Sequence, residues 1–370
     1  MAVATDQSRA GGPRPHVVAW ESTQACNLAC VHCRASAQAE PAASELTTAE
    51  VTAVIDNIAS FASPVFIISG GEPLLRKDVF DIAHYGHQRG LRVVMSPNGT
   101  LITPEAARRM KAAGIARISV SIDGSTANLH DRVRGVPGAF DGAMRGLAAC
   151  RDNGVGFQLN TTVLRQTVHD LPAIHQLAVR LGAEAWHVFM LVPTGRGKAD
   201  DEITAEEYEA VLNWIYETAR TSPVPLRVTC GPHFMRIVAS RRRRDGEPAG
   251  LVRPRGGGHP GRLDSASQGC LAGDGYCFIS HRGEVYPCGY LPLLAGNVRE
   301  RPFREIYQES ELFRSLRDFT RLEGKCGACE FVRICGGCRA RAYSATGNAF
   351  AAEPLCTYQP RKSVGEGDDR

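Results

Sequence analysis

Three cysteines in eight residues, Cys26-x3-Cys30-x2-Cys33, constrain this chain more than any other feature, since all three thiols must leave one tight loop. Three thiolates from one loop are one short of the four that saturate a cubane iron–sulfur cluster. The iron left without a protein ligand can bind something else. A structural zinc site usually wants four closed ligands, and a disulfide framework would not crowd three thiols so tightly.

The setting agrees with metal chemistry. The first fifteen residues are polar and hold no apolar signal segment, and no apolar run approaches the ~18 residues that would span a membrane. A reducing, cytoplasmic environment is therefore expected, where clustered cysteines bind metal more often than they form disulfides. Of thirteen cysteines, only Cys150 and Cys230 stand outside clusters with ligand-like spacing. A net charge of +4, from 43 basic and 39 acidic residues, is too mild to argue for nucleic acid.

With 370 residues and 43% hydrophobic content, the chain can hold one large or two medium domains. A leader over residues 1–15 precedes a short apolar run, His16 to Trp20, which ends just before the cysteine loop. Strand-like and helix-like stretches then alternate. Strands are expected at 65–68, 91–95, 117–122, 157–163 and 185–191. Helices are expected from the caps Thr47 and Thr48 to Phe61, then at 78–89, from Pro104 onward, and at 140–153, 171–181 and 204–220. Six βα units imply a parallel sheet covered by helices, too short for a complete eight-fold barrel. The expected fold is α/β: a partial (β/α)6 barrel over 16–235, a linker over 236–268, a small cysteine-rich α+β domain over 269–360, and a tail over 361–370.

In such barrels functional groups gather at the C-terminal ends of the strands. Gly70-Gly71-Glu72-Pro73 follows the second strand, with glycines that admit close backbone approach and a carboxylate that could accept from an ammonium group. Asn98 follows the third. Ser121 and Asp123 end the fourth on one face with Ser119, polar where a structural strand would be apolar; they suit a ribose, or simply a polar interior. Arg134 offers a cation for a carboxylate or a surface ion pair, and Asn160 and Thr162 lie on the fifth strand. After the sixth strand, Arg196 and Lys198 sit in a glycine-loosened loop that is either an anion grip or solvated.

The thiols return at Cys270, Cys277 and Cys288, then at Cys326-x2-Cys329-x5-Cys335-x2-Cys338, and finally at Cys356. Eight thiolates can fully ligate two cubanes, although paired Cys-x2-Cys spacings also read as zinc sites.

The cysteine loop followed by Gly-Gly-Glu-Pro resembles the cluster loop and amino-group motif of radical S-adenosylmethionine (SAM) enzymes. The later order C…G-x4-C…C-x2-C-x5-C…C resembles their SPASM extension, which usually has three residues, not two, before the position of Cys338. The resemblance implies a SAM-binding 4Fe-4S cluster on Cys26, Cys30 and Cys33. SAM itself would lie against Gly70 to Pro73, Asn98, Ser121, Asp123, Arg134 and Asn160. It also implies one or two auxiliary 4Fe-4S clusters: Cys270, Cys277, Cys288 and Cys338 for one, and Cys326, Cys329, Cys335 and Cys356 for the other.

Trp20 to Cys26, His32 to Ala37, Trp186 to Lys198, Thr229 to His233 and Cys335 to Tyr343 resemble a subgroup that makes heme by the siroheme-dependent route. That likeness implies oxidative decarboxylation of two propionates of iron-coproporphyrin III to vinyls, with a low-potential donor of ferredoxin or flavodoxin type. Arg196 and Lys198 would meet the carboxylates, and His187, His233 or Cys230 the porphyrin iron. A sister siroheme-pathway decarboxylase (12,18-didecarboxysiroheme to iron-coproporphyrin III) and a SPASM peptide maturase are the competing readings. Only about fifteen residues precede the first strand, short of the peptide-binding domain such maturases often carry.

Overall fold

The computed structural model describes residues 12–246 and 269–361. Expectations for residues 1–11, for 247–268 and for 362–370 therefore lie outside the described residues.

Seven strands run parallel in chain order: β1 Val17–Glu21, β2 Val65–Ser69, β3 Arg92–Met95, β4 Ile118–Ser121, β5 Phe157–Val163, β6 Trp186–Met190 and β7 Leu226–Thr229. Helices α1 Thr48–Ala59, α2 Val79–Gln88, α3 Pro104–Ala112, α4 Ala127–Arg134, α5 Ala139–Asp152, α6 Leu171–Leu181 and α7 Ala205–Thr221 lie between them. Local chemistry sets the helix starts. Thr47 and Glu50 exchange cap hydrogen bonds at the head of α1. Thr103 caps α3 ahead of Pro104, where a missing N–H costs nothing. Each buried Val or Ile of α1 (Val51, Val54, Ile55, Ile58) contributes about 1.5–3 kcal/mol against the sheet.

Strand alternation divides the sheet into two faces. Phe66, Ile68, Val93, Met95, Ile118, Val120, Leu159 and Val188 point to the helices and form the core. Val17, Ile67, Val94, Ser119, Asn160 and His187 point the other way, into a concave interior. From β4 onward that interior is largely polar, which separates this sheet from one whose strands are apolar on both faces.

Two features depart from the expected six units. A seventh strand, β7, follows Pro225, and residues 236–244 of the expected linker are helical, within α8 Phe234–Arg244, with Ile237 and Val238 buried. The sheet also does not end with the barrel. β8 Tyr276–Ile279 pairs parallel to β1, Val18 opposite Cys277, and β9 Glu284–Tyr286 and β10 Gly296–Asn297 continue the ladder antiparallel. The cysteine-rich region is therefore welded to the barrel through its first strand. Helices α9 Phe303–Glu309, α10 Glu311–Arg317, the single turn α11 Gly324–Gly327 and α12 Arg339–Thr346 complete it.

Candidate active site and cysteine centres

The concave interior and the C-terminal strand ends enclose a cavity of about 480 Å³. Cys26, Cys30 and Cys33 line its rim, beside Gly70, Gly71, Asn98, Ser121, Arg134, Asn160, His187 and Arg196. Each of the three sulfurs receives a hydrogen bond: Leu28 N–H to Cys26 at 3.4 Å, Arg134 Nη1 to Cys30 at 3.6 Å, and Ala37 N–H to Cys33 at 3.4 Å. Donors aimed at sulfur favour thiolate over thiol and tune any metal the sulfurs hold. Burial first, and then the charges of Glu72, Cys30 and Cys33, push the Cys26 thiol up to about 11, so a bound cation is what would keep it deprotonated.

Among the described residues no three His, Cys, Asp or Glu side chains converge tightly enough to grip a single ion. In a cubane each thiolate meets a different iron, so its ligands stand wider apart than those around one ion. The loop, its donors and its place at the cavity rim fit a cluster.

The glycines after β2 answer first to the cysteine loop. Gly71 N–H and Glu72 N–H donate to Thr23 O and Ala25 O, both at 2.7 Å. A Cβ at Gly70 would sit 2.6 Å from Thr23 O, and one at Gly71 only 2.1 Å from Ala25 O. Two backbones thus run side by side to bring Gly70 and Gly71 against the cavity next to Cys26.

Several expected contact residues face protein instead. Glu72 is fully buried and outside the cavity; its oxygens accept from Leu74 N–H at 3.0 Å and Asn98 N–H at 2.6 Å. Burial raises its pKa to about 7. It braces the Asn98 turn. Pro73, buried, begins a 3-10 turn and does not line the cavity. Asp123 is fully buried too, pairing with Arg134 at 2.5 Å and His32 at 3.7 Å and accepting from Thr162 N–H at 2.7 Å. A carboxylate so occupied holds Arg134 over Cys30.

Arg196 donates to Cys30 O and Ala37 O, both at 2.9 Å, and so staples the cysteine loop from across the barrel. Lys198 is exposed and lies outside the cavity. His233 is buried against Tyr208, with ring centroids 4.4 Å apart, and lines a different cavity. Neither Lys198 nor His233 lines the cavity that the three-cysteine loop borders. His187 does face the interior, its Nε2 buried without a partner and its pKa lowered to about 3 by burial and then by Arg227 and Arg117.

Sequence reasoning missed the charge of the cavity. Six arginines line it (Arg34, Arg92, Arg117, Arg134, Arg196 and Arg227), and the described lining residues include no Asp or Glu. Arg92, Arg117 and Arg227 cluster near the N-terminal strand ends. There burial first, and then repulsion between neighbours, lowers the pKa of Arg117 and of Arg227. The half-exposed Glu184, 3.7 Å from Arg117, partly offsets them. The inward arginines at β3 and β7 were the available signal.

In the second cysteine field, Cys326, Cys329, Cys335 and Cys356 surround one cavity with His233 and Arg236. Glu353 N–H donates to the Cys326 sulfur at 3.2 Å and Gly337 N–H to that of Cys335 at 3.4 Å. Cys288 and Cys338 pack together in a separate cluster, where Tyr290 N–H donates to the Cys288 sulfur at 3.4 Å. Cys270 is tied to the same segment through Cys335 O at 3.0 Å. Cys277 departs from the expected set: its side chain shares the helix-facing side of the sheet with Val18 and is buried in the main apolar core.

Comparison with known proteins accords with this geometry. Residues 20–178 match the radical SAM superfamily and residues 270–330 the SPASM iron–sulfur cluster-binding domain. The chain is 51% identical over 354 residues to the AdoMet-dependent heme synthase of Nitratidesulfovibrio vulgaris, covering 95% of each chain. It is 35% identical over 369 residues to the Fe-coproporphyrin III synthase of Methanosarcina barkeri, covering 94% of this chain and 89% of the other. Streptococcus suis SuiB bound to S-adenosylmethionine shares the fold, with a TM-score of 0.73 at 16% identity over 93% of this chain and 78% of SuiB.

Proposed function

The chain belongs to the radical SAM superfamily and carries a SPASM iron–sulfur extension, and on that premise we propose that it is a heme synthase acting on iron-coproporphyrin III. The observation that carries this reading is a cavity ringed by six arginines and no carboxylate, opening onto the three-cysteine loop. A tetra-anionic macrocycle is the substrate such a lining suits. Identity of 51% to a heme synthase against 35% to an Fe-coproporphyrin III synthase favours formation of vinyls over the sister decarboxylation.

When bound, the site-open cluster and SAM supply the hard chemistry: one-electron cleavage to a 5′-deoxyadenosyl radical that removes hydrogen from the propionate carbon next to the ring. The protein orients and encloses. Gly70 and Gly71 offer their backbone, and Asn98, Ser121 and Asn160 their polar side chains, to SAM. Arg134, whose Nε is buried without a partner, faces the SAM carboxylate while Asp123 fixes its angle. Arg92, Arg117, Arg227 and His187 hold propionates at the far end of the cavity.

Each vinyl also requires loss of CO2 and of one further electron. The eight-thiol region at 269–360 would take that electron on one or two auxiliary clusters, with a ferredoxin- or flavodoxin-type protein donating to the SAM cluster. Thirteen cysteines, none of them paired in a disulfide, suit the cytoplasm. No described helix is long and apolar enough to cross a membrane. The test is anaerobic incubation of reconstituted protein with SAM, reductant and iron-coproporphyrin III. Mass spectrometry should find products lighter by one and two units of HCOOH. Production of 5′-deoxyadenosine with an unchanged porphyrin would refute the substrate while leaving the enzyme class.

A further inference from the structure

Cys230 stands alone in the sequence but not in the fold. It directly follows β7 and packs with Cys288 against the cluster that contains Cys338. The thiolates whose charge bears most on it are those of Cys338, Cys288 and Cys270, in that order. Cys277, by contrast, lies in the main apolar core on the opposite face of the sheet, near Tyr307, and its charged neighbour is Arg317.

The backbone at Cys230 is also unusual. Its φ of +58° lies in the left-handed region, which is strained for a non-glycine residue. The conformation is held by Tyr208 Oη donating to Cys230 O at 3.0 Å and by both Nη atoms of Arg341 donating to the same oxygen at 3.2 Å. Arg341 belongs to α12, the helix that Cys338 begins. A strained cysteine is thus clamped from the cysteine-rich side, where glycine would relieve the strain.

We propose that Cys230 is the fourth thiolate of the set formed by Cys270, Cys288 and Cys338, in place of Cys277. One auxiliary iron–sulfur cluster is then held jointly, three ligands from the cysteine-rich region and one from the residue that follows the last strand of the barrel. That arrangement ties the auxiliary cluster to the wall of the substrate cavity, since β7 also carries Arg227. It also accounts for the missing residue before Cys338, because the set is completed from outside the SPASM spacing. The inference rests on the reading that this region binds iron–sulfur clusters, and not on which tetrapyrrole is the substrate.

The experiment uses the full chain with Cys26, Cys30 and Cys33 all replaced by Ala, reconstituted anaerobically, so that iron and Mössbauer spectra report auxiliary clusters alone. Into this parent go Cys230→Gly, which relieves the backbone strain and so should fold, and Cys277→Ala as the contrast. Cys230→Gly is expected to lose about four irons per chain, or to convert one cluster to a three-iron form with its own EPR signal. Cys277→Ala is expected to match the parent. Equal iron and spectra in Cys230→Gly, or loss in Cys277→Ala instead, would overturn the assignment. A parent holding zinc or no metal would instead remove the cluster reading on which it rests.

Discussion

Arg341 and Glu353 form an ion pair at 3.4 Å in which each side chain is only 1% exposed. The guanidinium also meets Glu202 at 3.0 Å and donates to Leu191 O at 2.6 Å, so it bolts α12 to the ends of β6 and β7. Breaking a buried pair from one side leaves an uncompensated charge and costs about 3–5 kcal/mol. Arg341→Met should lower unfolding stability by that amount in anaerobic denaturant titrations, and the double variant with Glu353→Gln should recover part of it. A loss below about 1 kcal/mol would mean that the two regions are held by other contacts.

His130 is buried, its Nδ1 accepts from Asp123 N–H at 3.1 Å, and burial holds its pKa down at about 4. A histidine depressed in the folded state stabilises fully above its unfolded pKa near 6.5 and loses that contribution as pH falls toward 4. Between pH 7.5 and 5.0 this one group should remove about 2 kcal/mol of stability. In His130→Asn, which keeps an acceptor for Asp123 N–H, the drop should be smaller by that amount. Identical pH slopes for the two proteins would contradict the assignment.

Much of the barrel is legible in the sequence because buried parallel strands and amphipathic helices carry opposite periodicities. All six expected strands appear within a residue or two. Strand β7 escaped because it is four residues long and has Arg227 in its middle. The pairing of β8 with β1 could not be read, since no local pattern marks a partner some 260 residues away. Motif residues were legible as types but not as directions. Glu72, Asp123 and Arg196 all sit where a ligand contact was expected, yet each satisfies protein groups that hold the cysteine loop and its neighbours in place. Cys230 was invisible as a member of a set because its partners come from the other end of the chain.

The three arginines near the strand starts give a kinetic expectation. A charge-assisted hydrogen bond to a carboxylate is worth about 1.5–3 kcal/mol. Arg117→Gln and Arg227→Gln should each raise KM for iron-coproporphyrin III by roughly 10- to 100-fold while kcat changes little. The SAM requirement should stay the same. Steady-state product formation at varied porphyrin concentration reads this directly, and an unaltered KM would move the propionates elsewhere in the cavity.

The central claim, that a SAM-derived radical takes hydrogen from the substrate's propionates, is tested most directly by isotope transfer. Iron-coproporphyrin III carrying deuterium on the propionate carbons next to the ring is incubated anaerobically with SAM and reductant, and the 5′-deoxyadenosine is analysed by mass spectrometry. One deuterium should enter 5′-deoxyadenosine for each vinyl formed, and none should enter with a Cys26→Ala protein. Vinyl formation accompanied by unlabelled 5′-deoxyadenosine, or undiminished in the Cys26→Ala protein, would contradict it.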